Sequence, residues 1–145
     1  MSILFSRQCE YALQAVLYLA LKPQNEMTSI RELTKRIDIP YHFVAKILQD
    51  LTRKGFLVSH KGPAGGFGLA VPAKDITILQ IVEAIDGLSL INSCVLGFPN
   101  CTHDDHCAVH DQWEIIRERI HHMLASKNIL EMADDNKKPQ YSLTI

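Results

Sequence analysis

Apolar residues recur at helical spacing through the first third of this chain. In CEYALQAVLYLALK, Tyr11, Ala15 and Leu19 share one stripe with further apolar groups a turn away, which predicts a mostly buried first helix ended by Pro23. Ser29-Ile-Arg-Glu32 has the form of a capping box, the serine oxygen taking an orphan amide while the glutamate reaches back. A second helix therefore starts there and runs to about Arg36, and Asp38-Ile-Pro40 breaks it. A third helix is expected from about Tyr41 to Lys54, with Phe43, Val44, Ile47, Leu48 and Leu51 on its apolar face and Gly55 as the stop. Two short helices across a tight turn make a helix-turn-helix, whose second helix usually enters the major groove.

After Gly55 the period changes. Phe56-Leu-Val58, the turn KGPAGG and Phe67-Gly-Leu-Ala-Val71 predict two short strands around a Gly/Pro turn. Alone, such a hairpin is an ordinary surface feature; directly behind a basic helix-turn-helix it reads as a DNA-binding wing. Gly62, Gly65 and Gly66 would let backbone approach a phosphate, and Lys61 stands at the tip, where a cation enters a minor groove narrowed by A·T-rich sequence. Thr77 caps a further helix to about Asp86 that buries Ile78, Ile81, Val82 and Ile85 and stops at Gly87. Finally Val109, Trp113, Ile116, Ile120, Met123 or Leu124, and Leu130 recur at intervals of three, four or seven, predicting one helix that reaches about Met132. At about 1.5 Å per residue, some 25 residues span roughly 37 Å, longer than so small a core can cover. Such an arm is expected to pack against a second copy of itself, with Trp113, Ile116, Ile120 and Met123 in the seam. A two-fold dimer of winged helices fits a pseudo-palindromic operator in double-stranded DNA.

The expected fold is mainly α. A winged helix-turn-helix domain occupies 1–87, a cysteine-rich loop 88–107, a dimerisation helix 108–133 and a polar tail 134–145. The 145 residues, 47% hydrophobic and 21% charged, suffice for one core. A formal net charge of -1 hides an asymmetry. From Thr28 to Lys61 seven basic residues face three acidic ones, a balance of +4, whereas Asp75 to Ile145 holds five basic and eleven acidic, a balance of -6. One part of the molecule suits a polyanion that the rest repels. Arg31, Lys35, Arg53 and Lys54 are candidates for phosphate contacts, and Tyr41, His42 and Lys46 for reading bases from the start of the third helix. With few arginines on that helix, much of the specificity falls to the wing and to DNA shape. No nucleophile, base and acid constellation is evident and KGPAGG resembles no nucleotide-binding loop, so no enzyme is expected. Arg7 and Glu10 interrupt any apolar stretch of a signal peptide, and no run approaches the roughly eighteen apolar residues of a membrane helix; a cytoplasmic protein with no membrane partner is expected.

Cys94, Cys101, Cys107 and His110 crowd into seventeen residues of otherwise irregular sequence. Thiolates select zinc, copper(I) or iron-sulfur chemistry, and gaps of six and five residues do not fit paired Cys-x-x-Cys zinc knuckles, so the spacing leans toward an iron-sulfur cluster. A structural zinc site, a thiol switch, or disulfides that include Cys9 are the competing readings, and a cluster-bearing electron-transfer protein is a further one. Cys9, remote in sequence, is expected to pack as a small hydrophobe.

Taken together, SRQCEYALQAVLYLA, SIRELTKRIDIP followed by AKILQDLTRKGFLVS, the wing KGPAGGFGLA, ITILQIVEAIDG and the three cysteines resemble the Rrf-two family of winged-helix transcription regulators over nearly the whole chain. The resemblance implies a homodimeric DNA-binding regulator whose cysteines hold an iron-sulfur cluster that alters operator binding by its presence or oxidation state. It offers two fourth ligands. His110, three residues after Cys107, resembles the arrangement of the IscR-like branch with its [2Fe-2S] cluster, whereas Glu10 matches the position from which NsrR-like members lend a carboxylate to the partner's cluster. His103 and His106 are lesser candidates. The family's first cysteine gap is commonly five residues and here is six, which keeps a [4Fe-4S] cluster open as the alternative.

Overall fold

The computed structural model describes residues 2–136 apart from Gln24, Asn100, Thr102, His103 and His106. Helix α1 (Arg7–Leu21) is capped by Ser6, whose hydroxyl accepts from the Cys9 amide at 3.1 Å, and buries Cys9, Ala12, Ala15, Val16, Leu17 and Leu19. Helix α2 (Ile30–Arg36) starts as expected at Ser29, which accepts from the Glu32 amide at 3.1 Å. The returning half of the box is absent. Glu32 Oε1 instead accepts from Tyr18 Oη at 2.8 Å and from Lys22 Nζ at 2.6 Å, fastening α2 to α1 rather than to its own cap.

Helix α3 (Tyr41–Arg53) buries Val44, Ile47, Leu48 and Leu51 against α1 and α2, and Gly55 at φ 87° leads the chain away. Phe43 departs from the expected apolar face. It is 40% exposed and lies 4.5 Å, centroid to centroid, from His42 and 5.9 Å, edge-on, from Tyr11. The wing consists of β1 (Leu57–His60) and β2 (Gly66–Leu69), antiparallel, with Leu57 opposite Leu69 and His60 opposite Gly66. Phe67 also pairs with Thr28, exchanging both backbone hydrogen bonds at 2.9 and 2.8 Å, so the returning strand of the hairpin is stitched to the residue just before the α2 cap. Gly66 serves this stitch, and Gly65 the turn of the hairpin. A Cβ at Gly65 would overlap the His60 carbonyl, and one at Gly66, whose φ is 145°, would overlap the Thr28 carbonyl.

A 3-10 turn (Ala73–Asp75) leads to α4 (Ile78–Asp86), which carries the complete capping box, Thr77 and Gln80 bonding reciprocally at 3.1 and 2.8 Å. The short α5 (Ser89–Asn92) precedes the cysteine loop, and α6 (His110–Ser126) follows it. The expected single arm reaching Met132 is divided. The helix stops at Ser126, and α7 (Ile129–Asn136) begins after Lys127 and Asn128. Backbone bonds from Ile78 to the Lys127 carbonyl at 2.9 Å, and from Ile129 to the Ile76 carbonyl at 2.8 Å, pin the break beside the start of α4. Helix α7 then returns to α1 with Ile129 and Ala133 buried, and it takes in 134–136 of the expected polar tail; the remainder, 137–145, lies outside the described residues. The core joins Ala12, Val16, Leu33, Ile47, Leu48, Leu51, Leu57, Ile76, Ile81 and Ile129.

Candidate metal centre and nucleic-acid interface

The cysteine loop leaves α5 at Ser93 and turns at Gly97, φ 80°, whose amide donates to the Cys94 carbonyl at 3.0 Å. It re-enters helix at His110, whose amide donates to the Cys107 carbonyl at 3.1 Å. Within this frame the three Sγ atoms of Cys94, Cys101 and Cys107 lie within 4.8 Å of one another, all unbridged. Cys101 Sγ is 3.9 Å from Cys107 Sγ and 3.4 Å from His110 Nδ1, and His110 is only 8% exposed. The three thiols are thus brought together, with the imidazole of the buried His110 beside Cys101. The amides of Phe98 and Leu96, the former foremost, hold the Cys94 thiol below its ordinary value. The Cys107 amide acts in the same direction at Cys101, but loss of solvent and the adjoining thiols outweigh it and raise that thiol. His110 also stands within ligand distance of Asp111 and Glu114 on its own helix.

Glu10 is not in this group within one chain; its carboxylate accepts from the Ser2 amide and lies 3.8 Å from Arg7 Nε. His103 and His106 fall outside the described residues. Trp113, one helical turn beyond His110, directs its indole N–H to the Ser93 carbonyl at 2.8 Å. Of the other residues expected in a dimer seam, Ile120 is half-buried, while Ile116 and Met123 are about half exposed on α6, next to exposed Ile115 and, on α7, Leu130.

On the basic side Arg31, Lys35, His42, Lys46 and Lys61 are exposed, and Tyr41 at 61% is among the most exposed large side chains. Arg53 pairs with Asp50 on its own helix. The Lys54 ammonium donates to the Ala84 carbonyl, tying the end of α3 to α4. Sequence reasoning missed three fastenings whose partners lie far apart in the chain. They are Ser6, whose amide donates to Asp86 at 2.8 Å and whose hydroxyl reaches the same carboxylate, the Lys54 tie, and the Trp113 bond. No local pattern marks any of them.

The family model of Rrf2, described as an iron-dependent transcriptional regulator, matches residues 5–135. An HTH-type transcriptional regulator of Aquifex aeolicus is 33% identical over 138 residues, covering 94% of this chain and 95% of the relative. One of Haemophilus influenzae is 28% identical over 124 residues, covering 86% and 82%. Among solved structures, CymR of B. subtilis, titled the global cysteine regulator, superposes with a TM-score of 0.78 at 22% identity over 93% of this chain and 98% of that one. IscR of T. potens gives 0.74 at 20% identity over 100% and 93%. These structures share the winged-helix fold, and no described helix is long and apolar enough to cross a membrane. With a helix-turn-helix and wing of this geometry, and a match that runs nearly from end to end, the chain belongs to the Rrf2 family of transcription regulators, a family of DNA-binding proteins rather than enzymes.

Proposed function

We propose that this protein is a homodimeric regulator whose affinity for a pseudo-palindromic operator is set by an iron-sulfur cluster held by Cys94, Cys101, Cys107 and His110. The observation that carries the reading is the convergence of those three thiols on one another and of His110 Nδ1 on Cys101. The donor set fits. Two thiolates bound to one tetrahedral metal at about 2.3 Å stand roughly 3.8 Å apart, and Cys101 and Cys107 stand at 3.9 Å. Three sulfurs and an imidazole suit a [2Fe-2S] centre, for which histidine is an established iron ligand. Glu10 reaching across a dimer is the alternative fourth ligand, and [4Fe-4S] the alternative nuclearity. When bound, the cluster supplies one-electron redox chemistry and a set of ligand bonds that order the loop.

In this reading Arg31, Lys35, Arg53 and Lys54 anchor phosphates, Tyr41, His42 and Lys46 face bases, and Lys61 enters the minor groove. The exposed apolar residues of α6 meet their counterparts in the second subunit. Binding to DNA then depends on the separation of two recognition helices, which the loop between α5 and α6 is placed to alter.

A second reading has its own support. All three sulfurs lie within 4.8 Å of one another, compact enough to share a single zinc ion. The two separate on purification without oxygen, where the visible spectrum with iron and sulfide analysis identifies a cluster and a colourless zinc protein refutes it. Cys101→Ala should abolish the chromophore, leave a folded dimer and change operator affinity by at least about tenfold, a coupling near 1.4 kcal/mol. Equal affinities would reduce the site to a structural clasp.

A further inference from the structure

Helix α6 holds the cysteine loop at two points from one face. His110 and Trp113 are three residues apart, so their side chains are neighbours on the helix surface. His110 Nδ1 meets Cys101, in the second half of the loop. Trp113 Nε1 meets the carbonyl of Ser93, the peptide oxygen immediately before Cys94. We propose that Trp113 is a positioning residue for Cys94, its indole N–H fixing the plane of the Ser93–Cys94 peptide and so the direction in which the Cys94 thiolate leaves the backbone.

The chemistry of the side chain supports this. Indole is a donor only, with one N–H, and here that hydrogen is spent on the protein's own loop at 2.8 Å. A tryptophan has just two rotatable bonds, so a hydrogen bond at its far end fixes the acceptor with little entropic loss. Cys94 needs such support more than its fellows do. It is separated from Cys101 by six residues, lies among exposed Val95, Leu96 and Phe98, and has the left-handed Gly97 three residues on. The Cys107 carbonyl is tied to the first residue of α6, whereas the Cys94 carbonyl is tied to Gly97 within the loop itself. The assignment moves Trp113 from the dimer seam to the metal centre.

This inference rests on the proposed metal centre, and the experiment separates the two. Trp113→Phe keeps an aromatic ring without the donor, and replacement of Trp113 by benzothienylalanine keeps the indole shape with sulfur in place of N–H. The anaerobically purified proteins are compared for release of bound iron to a ferrous chelator, or of zinc to a zinc indicator if zinc is what they carry. They are compared as well for visible spectrum, melting temperature and sedimentation. Both replacements are expected to release metal about tenfold faster, the range typical of lost support to a metal ligand, and to shift the spectrum, while remaining folded dimers. A benzothienylalanine protein that holds metal as the wild type does would show that packing alone matters and overturn the proposal, as would a monomeric Trp113→Phe. A wild-type protein that binds no metal overturns both this inference and the metal centre; a metal-loaded wild type with unaltered variants overturns this inference alone.

Discussion

At Gly66 the addition of one methyl group conflicts with the backbone. The residue sits at φ 145°, and a Cβ there would overlap the Thr28 carbonyl and stand 2.9 Å from the Ser29 nitrogen, both rigid main chain. Gly66→Ala is therefore expected to destabilise the fold by about 2 kcal/mol or more, read by denaturant unfolding. Unchanged stability would mean that the stitch between Thr28 and Phe67 is dispensable. Cys9 is a second sharp case. Burial first, then the Asp86 carboxylate, pushes its thiol from an ordinary value near 9 up to about 12. The folded protein keeps this thiol neutral where the unfolded chain has already ionised, so the associated stability is complete below about pH 9 and is lost as pH rises toward 12. Cys9→Ala should flatten that alkaline decline, and alkylation of the native metal-free protein should label the three loop cysteines and spare Cys9. Much at this scale was legible: soft ligands cluster in sequence because a loop can gather them, and a solitary cysteine on an apolar helical stripe has a hydrophobe's place. The true partners of Glu32 and Lys54 were not, because Tyr18, Lys22 and Ala84 come within reach only once the helices pack.

Among the elements, α1 to α4 and the wing follow directly from local chemistry. Serine and threonine caps, Pro40 before α3, and glycines at 55 and 87 punctuate apolar stripes that agree with the tertiary core. The division of α6 from α7 escaped notice for the converse reason. Met123 and Leu130, seven residues apart, preserve helical spacing straight across the break, and neither glycine nor proline marks it. One local signal was present. Asn128 Oδ1 accepts from the Glu131 amide at 2.8 Å, an N-cap arrangement readable as Asn-x-x-Glu. What decides the matter is long-range: Ile129 must turn inward to complete the core between α1 and α4. Ile129→Ala should cost about 2 to 4 kcal/mol in unfolding free energy. A loss below about 1 kcal/mol would instead make α7 a peripheral appendage. The same break shortens the arm, so its exposed apolar surface is a patch on α6 carrying Ile115, Ile116 and Met123 rather than a seam running to Met132. Ile116→Glu, placing charge in the middle of that patch, should give monomers by sedimentation and poor operator binding. A stable dimer would relocate the interface.

For the molecule as a whole, the pairing of Thr28 with Phe67 means that wing and helix-turn-helix cannot shift independently, since the strand that leaves the wing is bonded to the residue that leads into α2. In the proposed dimer each subunit would then act as one rigid reading head. On the proposed function, a signal at the cysteine loop would leave the head itself unbent and adjust the opening between two heads, as with the jaws of callipers. Base changes inside a half-site should therefore incur the same penalty in the cluster-loaded protein and in Cys101→Ala. Adding one or two base pairs between half-sites should alter the two proteins' affinities unequally. Half-site penalties that differ between the two states, with spacer preference unchanged, would contradict this. Operators regulated by such a protein would then be distinguished by the length of a gap that no side chain touches.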